Sequence, residues 1–425
     1  MHNPGPVSRS SLRRLATGCM AGVWALAASS IAAAGSDDVW APLGALPVRQ
    51  DGPVFALATD PADGHRLLAG TSGGAVLRSD DGGATWRAVR SGLGRGVSAL
   101  AFDPGRPGVV LAGTRGAGVW LSADDGVSWQ RQAGTEARTV RAFAFVSGAA
   151  LAGTDQGVLV SRAGGPWAPA GLSQVRVSAL AASGDAVAAG GDASQGSEAL
   201  PLYMSGDAGR TWAAATGVTG PGGAAAVAGS SMVTALAAPA ATGGPLLMGT
   251  NAGLFASADE GATWQQVTGG GVLPGTDFSA LAASPRHPER LYAASDGGGS
   301  DRGGLWASPD GGAHFTALAP PAPEVTALAV TGDDVPRLLV ATFRPADHAV
   351  ALWTYRDAGG PPSGVVAGPA PTASPPAAAA PAAAAQPLWR AVLTQPEMPF
   401  VLVGLAALVA VVAALAAYVR RGRVG

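Results

Sequence analysis

One short phrase recurs five times in this chain, and it limits the fold more than any other feature. It reads SDDGGATW at 79–86, SADDGVSW at 122–129, SGDAGRTW at 205–212, SADEGATW at 257–264 and SPDGGAHF at 308–315. The common pattern is Ser-x-Asp-x-Gly-x-Thr-Trp. Five copies mean that one small structural unit is stacked many times, so the repeat has to be defined before any site is sought.

Aligned on the phrase, the clearest unit begins at Val97, and comparable starts fall at Val54, Val140, Val177, Val233, Phe278 and Val325. Each unit reads as four short strands. The first (VSALAF, VTALAV) and the second (LLAGT, VVLAGT) are small and apolar. The third (GVWLS, GLFAS) alternates, and the fourth starts at the Trp. Gly-, Pro- and Asp-rich turns separate them. Four strands per unit of about 43 residues, repeated seven times, predict an all-β, single seven-bladed β-propeller over 36–358. The seventh unit has only three strand-like segments, at 325–330, 337–342 and 350–355, before Gly and Pro take over. VWAPLG at 39–44 carries Trp40 as a fourth strand carries its Trp, so this segment is expected to complete the last blade and remove the open edges.

Folding accounts for every residue type in the phrase. The Asp accepts N–H groups of its own turn, the Gly takes positive φ, and the Trp packs back across the hairpin. The residues assigned to this structural role are Ser79, Asp81, Gly83 and Trp86; Ser122, Asp124, Gly126 and Trp129; Ser205, Asp207, Gly209 and Trp212; Ser257, Asp259, Gly261 and Trp264; and Ser308, Asp310, Gly312 and Phe315. The acid pairs Asp80-Asp81 and Asp124-Asp125 each contain a repeat Asp, which argues against a catalytic dyad. Two units depart from the pattern. The third reads SRAGGPW at 161–167, with Ala163 at the Asp position, and the seventh reads TYRDAGG at 354–360, keeping Asp357 alone.

The phrase resembles the Asp-box, or BNR, repeat of sialidases, sortilin-type receptors, xyloglucan-degrading glycosidases and the photosystem II assembly factors called Ycf48 or HCF136. The short regular unit, with LAGT before the phrase, is most similar to the Ycf48 type. The resemblance covers 54–358. It implies the propeller fold strongly and the function weakly, since these families share the box and differ in chemistry.

The residues give little sign of catalysis. A sialidase needs an arginine triad and a Tyr nucleophile paired with Glu, and the ring offers only Tyr203, Tyr292 and Tyr355, all inside strand-like segments. Xyloglucanases use two propellers where this chain has one. His2, His65, His287, His314 and His348 are scattered without ligand spacing, and the single cysteine, Cys19, lies in the leader, so no metal site and no cofactor is expected. GxSxG elbows and P-loops are absent. The loop at 295–304 reads as a solvated glycine-rich loop, with Ca²⁺ binding as the rival. A net charge of −2 gives no reason to expect nucleic acid.

A partner is expected on the face opposite the Asp turns, where the loops from fourth to first strand meet those between second and third. Arg90, Arg95, Arg115, Arg138, Arg141 and Arg176 make one half of that face basic. Asp192, Glu198, Asp277, Asp296 and Asp301 make the other half acidic, and the insertions 191–199, 213–232 and 295–304 fall there too. Two readings stand: ordinary solubilising charge, or a docking face for a protein or peptide steered by charge. A basic patch here also resembles the Ycf48 type, where such a patch is expected to meet the client.

The ends predict topology. Residues 1–34 run from Arg9, Arg13 and Arg14 through an apolar stretch to Ala32-Ala33-Ala34, as a signal peptide does. An uncleaved anchor is the rival. Residues 359–398 form a Pro/Ala-rich stalk. Residues 399–419 are long and apolar enough for a transmembrane helix, and 420–425 make a basic cytoplasmic tail. The expected protein is a single-pass cell-membrane protein with its propeller outside the cytoplasm. It acts first as a non-catalytic protein-binding or assembly scaffold. The alternative is a glycan-binding protein or glycoside hydrolase using Asp192, Asp277 or Asp296. The third reading is a sensor that signals through a partner.

Overall fold

The computed structural model describes residues 39–47, 52–193, 200–215, 218–219, 232–238, 245–272, 275–297, 303–344 and 346–359. The expected signal peptide, stalk, membrane helix and tail lie outside these residues, apart from Gly359 at the start of the stalk, as do Glu198 and Asp301. Among the described residues no helix is long and apolar enough to cross a membrane.

The described chain forms seven antiparallel sheets in sequence order, each built as a meander. In blade 2 the strands are Val97–Phe102, Val110–Thr114, Val119–Ser122 and Gln130–Arg131. The inner three carry the apolar, β-branched residues that pack on both sides. The outermost is two residues long and exposed, which leaves little free edge for another chain to pair with. The expected four-stranded pattern has one exception. Blade 5 gains a fifth strand, Val218–Thr219, running parallel to its outer strand Trp264–Gln266. The long insertion before blade 5 therefore reaches the outer edge of that blade, and is not wholly a loop of the arginine face.

Ring closure is as expected. Ala41–Pro42 pairs with Ala349–Arg356, Ala41 opposite Thr354 and Pro42 opposite Trp353, and supplies the fourth strand of blade 7. Trp40 stacks on Tyr355 at 5.1 Å, and its indole N–H donates to the Leu318 carbonyl of blade 6. Two side chains extend the seam. Arg337 of blade 7 donates to the carbonyls of Gly64 and Gly82 in blade 1. Asp357 accepts from the Tyr292 hydroxyl of blade 6 at 2.7 Å and lies 3.4 Å from Arg290.

The apolar core is divided into seven clusters, one at each interface between neighbouring blades. Close approach of the sheets depends on the Gly of the second strand. A Cβ on Gly70 would stand 2.5 Å from Val97 of the next blade, and one on Gly113 would stand 2.8 Å from Val140. The Gly of LAGT is thus the seat for the first residue of the next unit. The Trp of the phrase also packs between blades: Trp129 belongs to the cluster of blades 1 and 2, and Trp264 to that of blades 4 and 5. It staples blade to blade, beyond the single hairpin expected from sequence.

Candidate functional site

The Asp turns line one face of the ring. In blade 2, Asp124 accepts the Ser128 N–H at 2.8 Å and the Ser128 hydroxyl at 2.6 Å, while the Ser122 hydroxyl donates to it at 2.7 Å. The buried Ser122 oxygen in turn accepts the Gly126 N–H at 2.8 Å. Asp81 repeats this with Thr85, Asp207 with Thr211 and Asp259 with Thr263. In blade 6, His314 takes the Thr position against Asp310. The residue before the box Gly is also left-handed: Asp125 has φ 58°, Ala208 60° and Glu260 58°. Blade 3 keeps the turn shape with Ala163 at 50°, but its Ser161 hydroxyl donates to the Gly165 carbonyl instead.

These bonds fix the charge state of the box. Partial burial pushes the Asp124 carboxyl up, but the Ser128 hydroxyl and N–H, with Ser122, hold it down at about 2. The Thr211 N–H and hydroxyl lower Asp207, and the Thr263 hydroxyl and N–H lower Asp259. The acid of each pair that lies outside the repeat pattern is also structural. Asp80 binds Arg78 at 2.5 Å and Arg87 at 2.8 Å, and Asp125 lies 3.1 Å from Arg66 of blade 1.

Arginines on the opposite face are placed differently. Loop-to-loop bonds group them: the Arg115 N–H donates to the Gly96 carbonyl, and the Gly118 N–H to the Arg138 carbonyl. Arg90, Arg95, Arg115, Arg141 and Arg176 are exposed and Arg138 is half-exposed. Arg176 lies 3.7 Å from Asp192. No described carboxylate pairs with the other five. Arg138 reaches only the Gln156 carbonyl, and the Arg115 guanidinium lies 4.6 Å from the centre of the Phe55 ring.

Phe55 is a residue the sequence reading missed. The second residue of each repeat unit sits at a register shift in blades 1 to 5 and 7, between Val54 and Ala56 in blade 1 and between Val140 and Ala142 in blade 3. In five blades this position is a hydroxyl that donates to the first residue of the next unit. Ser98 reaches Val140, Ser178 reaches Val233, Thr234 reaches Phe278, Ser279 reaches Val325 and Thr326 reaches Val54, at 2.6–2.8 Å. The two exceptions are Phe55 in blade 1 and Arg141 in blade 3. Comparing the second letter of each unit would have found both.

The candidate enzymatic groups are scattered. Tyr292 is buried against Asp357, and burial pushes its phenol up, the reverse of what a nucleophile needs. Tyr355 packs on Trp40, and Tyr203 is half-buried in its strand. Burial, then the charge of Asp296, raises the Asp277 carboxyl. A hollow of about 780 Å³ opens on the Asp-turn face, lined by residues of blades 2 to 6, and its charged rim residues, Arg106 and Asp103, pair with each other at 2.7 Å. Among the described residues, no three His, Cys, Asp or Glu side chains converge as a metal site requires.

The geometry defines a seven-bladed propeller of the Asp-box type, and solved structures share it. YCF48 from Cyanidioschyzon merolae aligns over 74% of this chain and 98% of that one, with TM-score 0.52 and 16% identity. A YCF48 bound to D1 peptide aligns over 74% and 96%, with TM-score 0.51 and 17% identity. The GH74 enzyme of Niastella koreensis aligns over 68% of this chain and 53% of that one, with TM-score 0.41 and 16% identity. These likenesses are of fold. No known family profile matches the sequence, and no curated protein matches it.

Proposed function

We propose that this is a membrane-anchored, extracytoplasmic propeller that docks an acidic peptide or protein segment on its arginine face, without catalysis. The observation that carries the proposal is the set of five arginines with no described carboxylate partner, gathered on blades 1 to 3. Arginine is a weakly hydrated cation with a planar donor fork, which suits carboxylate recognition. The solved YCF48 with a D1 peptide is an instance of a peptide carried on a similar ring. Chain polarity supports the choice of face. Val39 lines a hollow on the Asp-turn side with Asp333 and Arg356, and Gly359 follows the third strand of blade 7 on that side, so the first and last described residues of the ring lie on the side away from the arginines. In the full-length protein, changing Arg95, Arg115 and Arg138 together to Glu is expected to remove the partner that co-purifies from membranes. An unchanged set of bound proteins sinks the reading.

A glycan-directed role is the second reading, favoured by Asp277. Its raised carboxyl is the trait of a general acid, and Asp296 is its charged neighbour. Turnover of a panel of labelled glycosides, lost in Asp277→Asn, would support it over docking.

A further inference from the structure

A β-bulge re-aims one side chain, and bulges collect at rims and beside functional sites. Here the same register shift recurs in six blades and in four of them aims a hydroxyl at the next blade, while blade 6 makes the same bond from Ser279 without the shift. Blades 1 and 3 put Phe55 and Arg141 there, so Val97 and Val177 lack the bond that their counterparts receive. A repeat that breaks its own rule at two positions has given up local consistency there, as functional sites do. Both breaks fall at the arginine-face end of the inner strands, on either side of blade 2. Blade 2 supplies Arg115 over Phe55, and Arg95 lies in the loop leading into it.

We infer that Phe55 and Arg141 are the specificity residues of the arginine face, and that its ligand is a peptide segment with an aromatic residue next to acidic ones. The inference rests on the docking reading above. Arg115 covers the half-buried Phe55 and holds its ring in place. An aromatic side chain of the ligand would pack against that ring or on the Arg115 plane, while its carboxylates engage Arg95, Arg115 and Arg141. An acidic segment alone would satisfy the arginines and leave the apolar ring unused.

The test uses the full-length protein in detergent and two fluorescein-labelled peptides, Gly-Ser-Asp-Phe-Asp-Gly-Ser and Gly-Ser-Asp-Ala-Asp-Gly-Ser, read by anisotropy. The wild type is expected to bind the Phe peptide about fivefold tighter than the Ala peptide. Phe55→Thr, which installs the residue of blades 5 and 7, should abolish that preference and keep the weaker acidic binding. Arg141→Ser, which installs the residue of blades 2, 4 and 6, should weaken both peptides while leaving the melting temperature unchanged or raised. The Arg95→Glu, Arg115→Glu, Arg138→Glu variant should bind neither. If that triple variant loses both peptides but Phe55→Thr keeps the preference, the inference fails and the docking reading stands. If the wild type binds neither peptide, or the triple variant binds as the wild type does, both fail.

Discussion

On the Asp-turn face, Arg66, Arg78, Arg106, Arg286 and Arg290 each end between 2.5 and 3.4 Å from a carboxylate. On the opposite face, Arg90, Arg95, Arg115, Arg138 and Arg141 end beside none that is described. One ring thus uses the same side chain in two ways. Where turns must be fixed to one another, the guanidinium is consumed by its neighbours: Arg66 links blade 1 to Asp125 of blade 2, and Arg290 links blade 6 to Asp357 of blade 7. Where the guanidinium is left unconsumed, several like charges gather on adjacent loops, and a cluster of one sign attracts and orients an oppositely charged partner. The difference teaches that residue type is a poor guide to function here and that pairing is a good one. It also predicts that substitutions will divide by face: stability lost on one side, binding lost on the other.

The largest stability effect is expected at the seam. Asp357→Ala removes the partner of Arg290 and of the buried Tyr292 hydroxyl. Breaking such a pair from one side costs about 3–5 kcal/mol. Tyr292→Phe removes only the hydrogen bond to a charged group and should cost about 1.5–3 kcal/mol. Deleting 36–44 should lower the stability of the whole ring in one cooperative transition. Fraying confined to blade 7 would show that the seam does not close the ring. Chemical denaturation followed by Trp fluorescence reads all three. Next comes Ser122→Ala, which leaves the buried Gly126 N–H without its acceptor and should cost about 1–3 kcal/mol. The same change at Ser161, whose blade lacks the box Asp, leaves no box bond to break and should cost less.

The box carboxyls give the Asp-turn face its own pH signature. Asp124 sits at about 2, and Asp207 and Asp259 are also lowered, against about 3.9 in an unfolded chain. A carboxyl held below its unfolded value binds fewer protons in the folded state. Its contribution is therefore complete above about pH 4 and is lost as pH falls toward 2. Urea midpoints should be flat from pH 7 to 5 and fall from pH 4 to 2. In Asp124→Asn the drop should be shallower, because one of the titrating groups is gone. An identical drop in that variant would remove the box from the explanation.

Much of this was legible in the chain. Seven units, four strands each and the role of residues 39–44 follow from a repeated phrase and an incomplete last unit, because each blade reuses one local solution. The box Ser, Asp and Gly were legible for the same reason: their bonds close within eight residues. What escaped the sequence lies between blades. The Gly of LAGT is explained only by Val97 or Val140 of the next unit, and the Trp only by the neighbouring sheet it covers. Val218–Thr219 pairs with a strand more than 40 residues away and carries no turn signal that would point there. Asp357 was read as a remnant of a box, yet it serves the seam through Tyr292. At the candidate site the arginines were visible as charge. Their lack of partners, and the place of Phe55 beneath Arg115, required coordinates.

The smallest stability effects sharpen the contrast between the faces most. Arg95→Gln and Arg141→Gln remove exposed guanidinium groups that have no described carboxylate partner, and surface changes of that kind fall within about ±0.5 kcal/mol. Removing one positive charge from a cluster of like charges also relieves repulsion, so the sign should be neutral or slightly stabilising. Arg66→Gln on the other face breaks contacts to Asp60 at 2.6 Å and Asp125 at 3.1 Å, so it should destabilise measurably in the same assay. Salt separates the two further. Adding salt should narrow the gap between Arg95→Gln and the wild type, because exposed charges are screened within about 10 Å at 0.1 M, while more of the cost of Arg66→Gln should persist, because its partner Asp60 is buried. Equal losses at Arg66 and Arg95, with equal salt dependence, would mean that the arginine face is held by the fold after all and is not free to meet a partner.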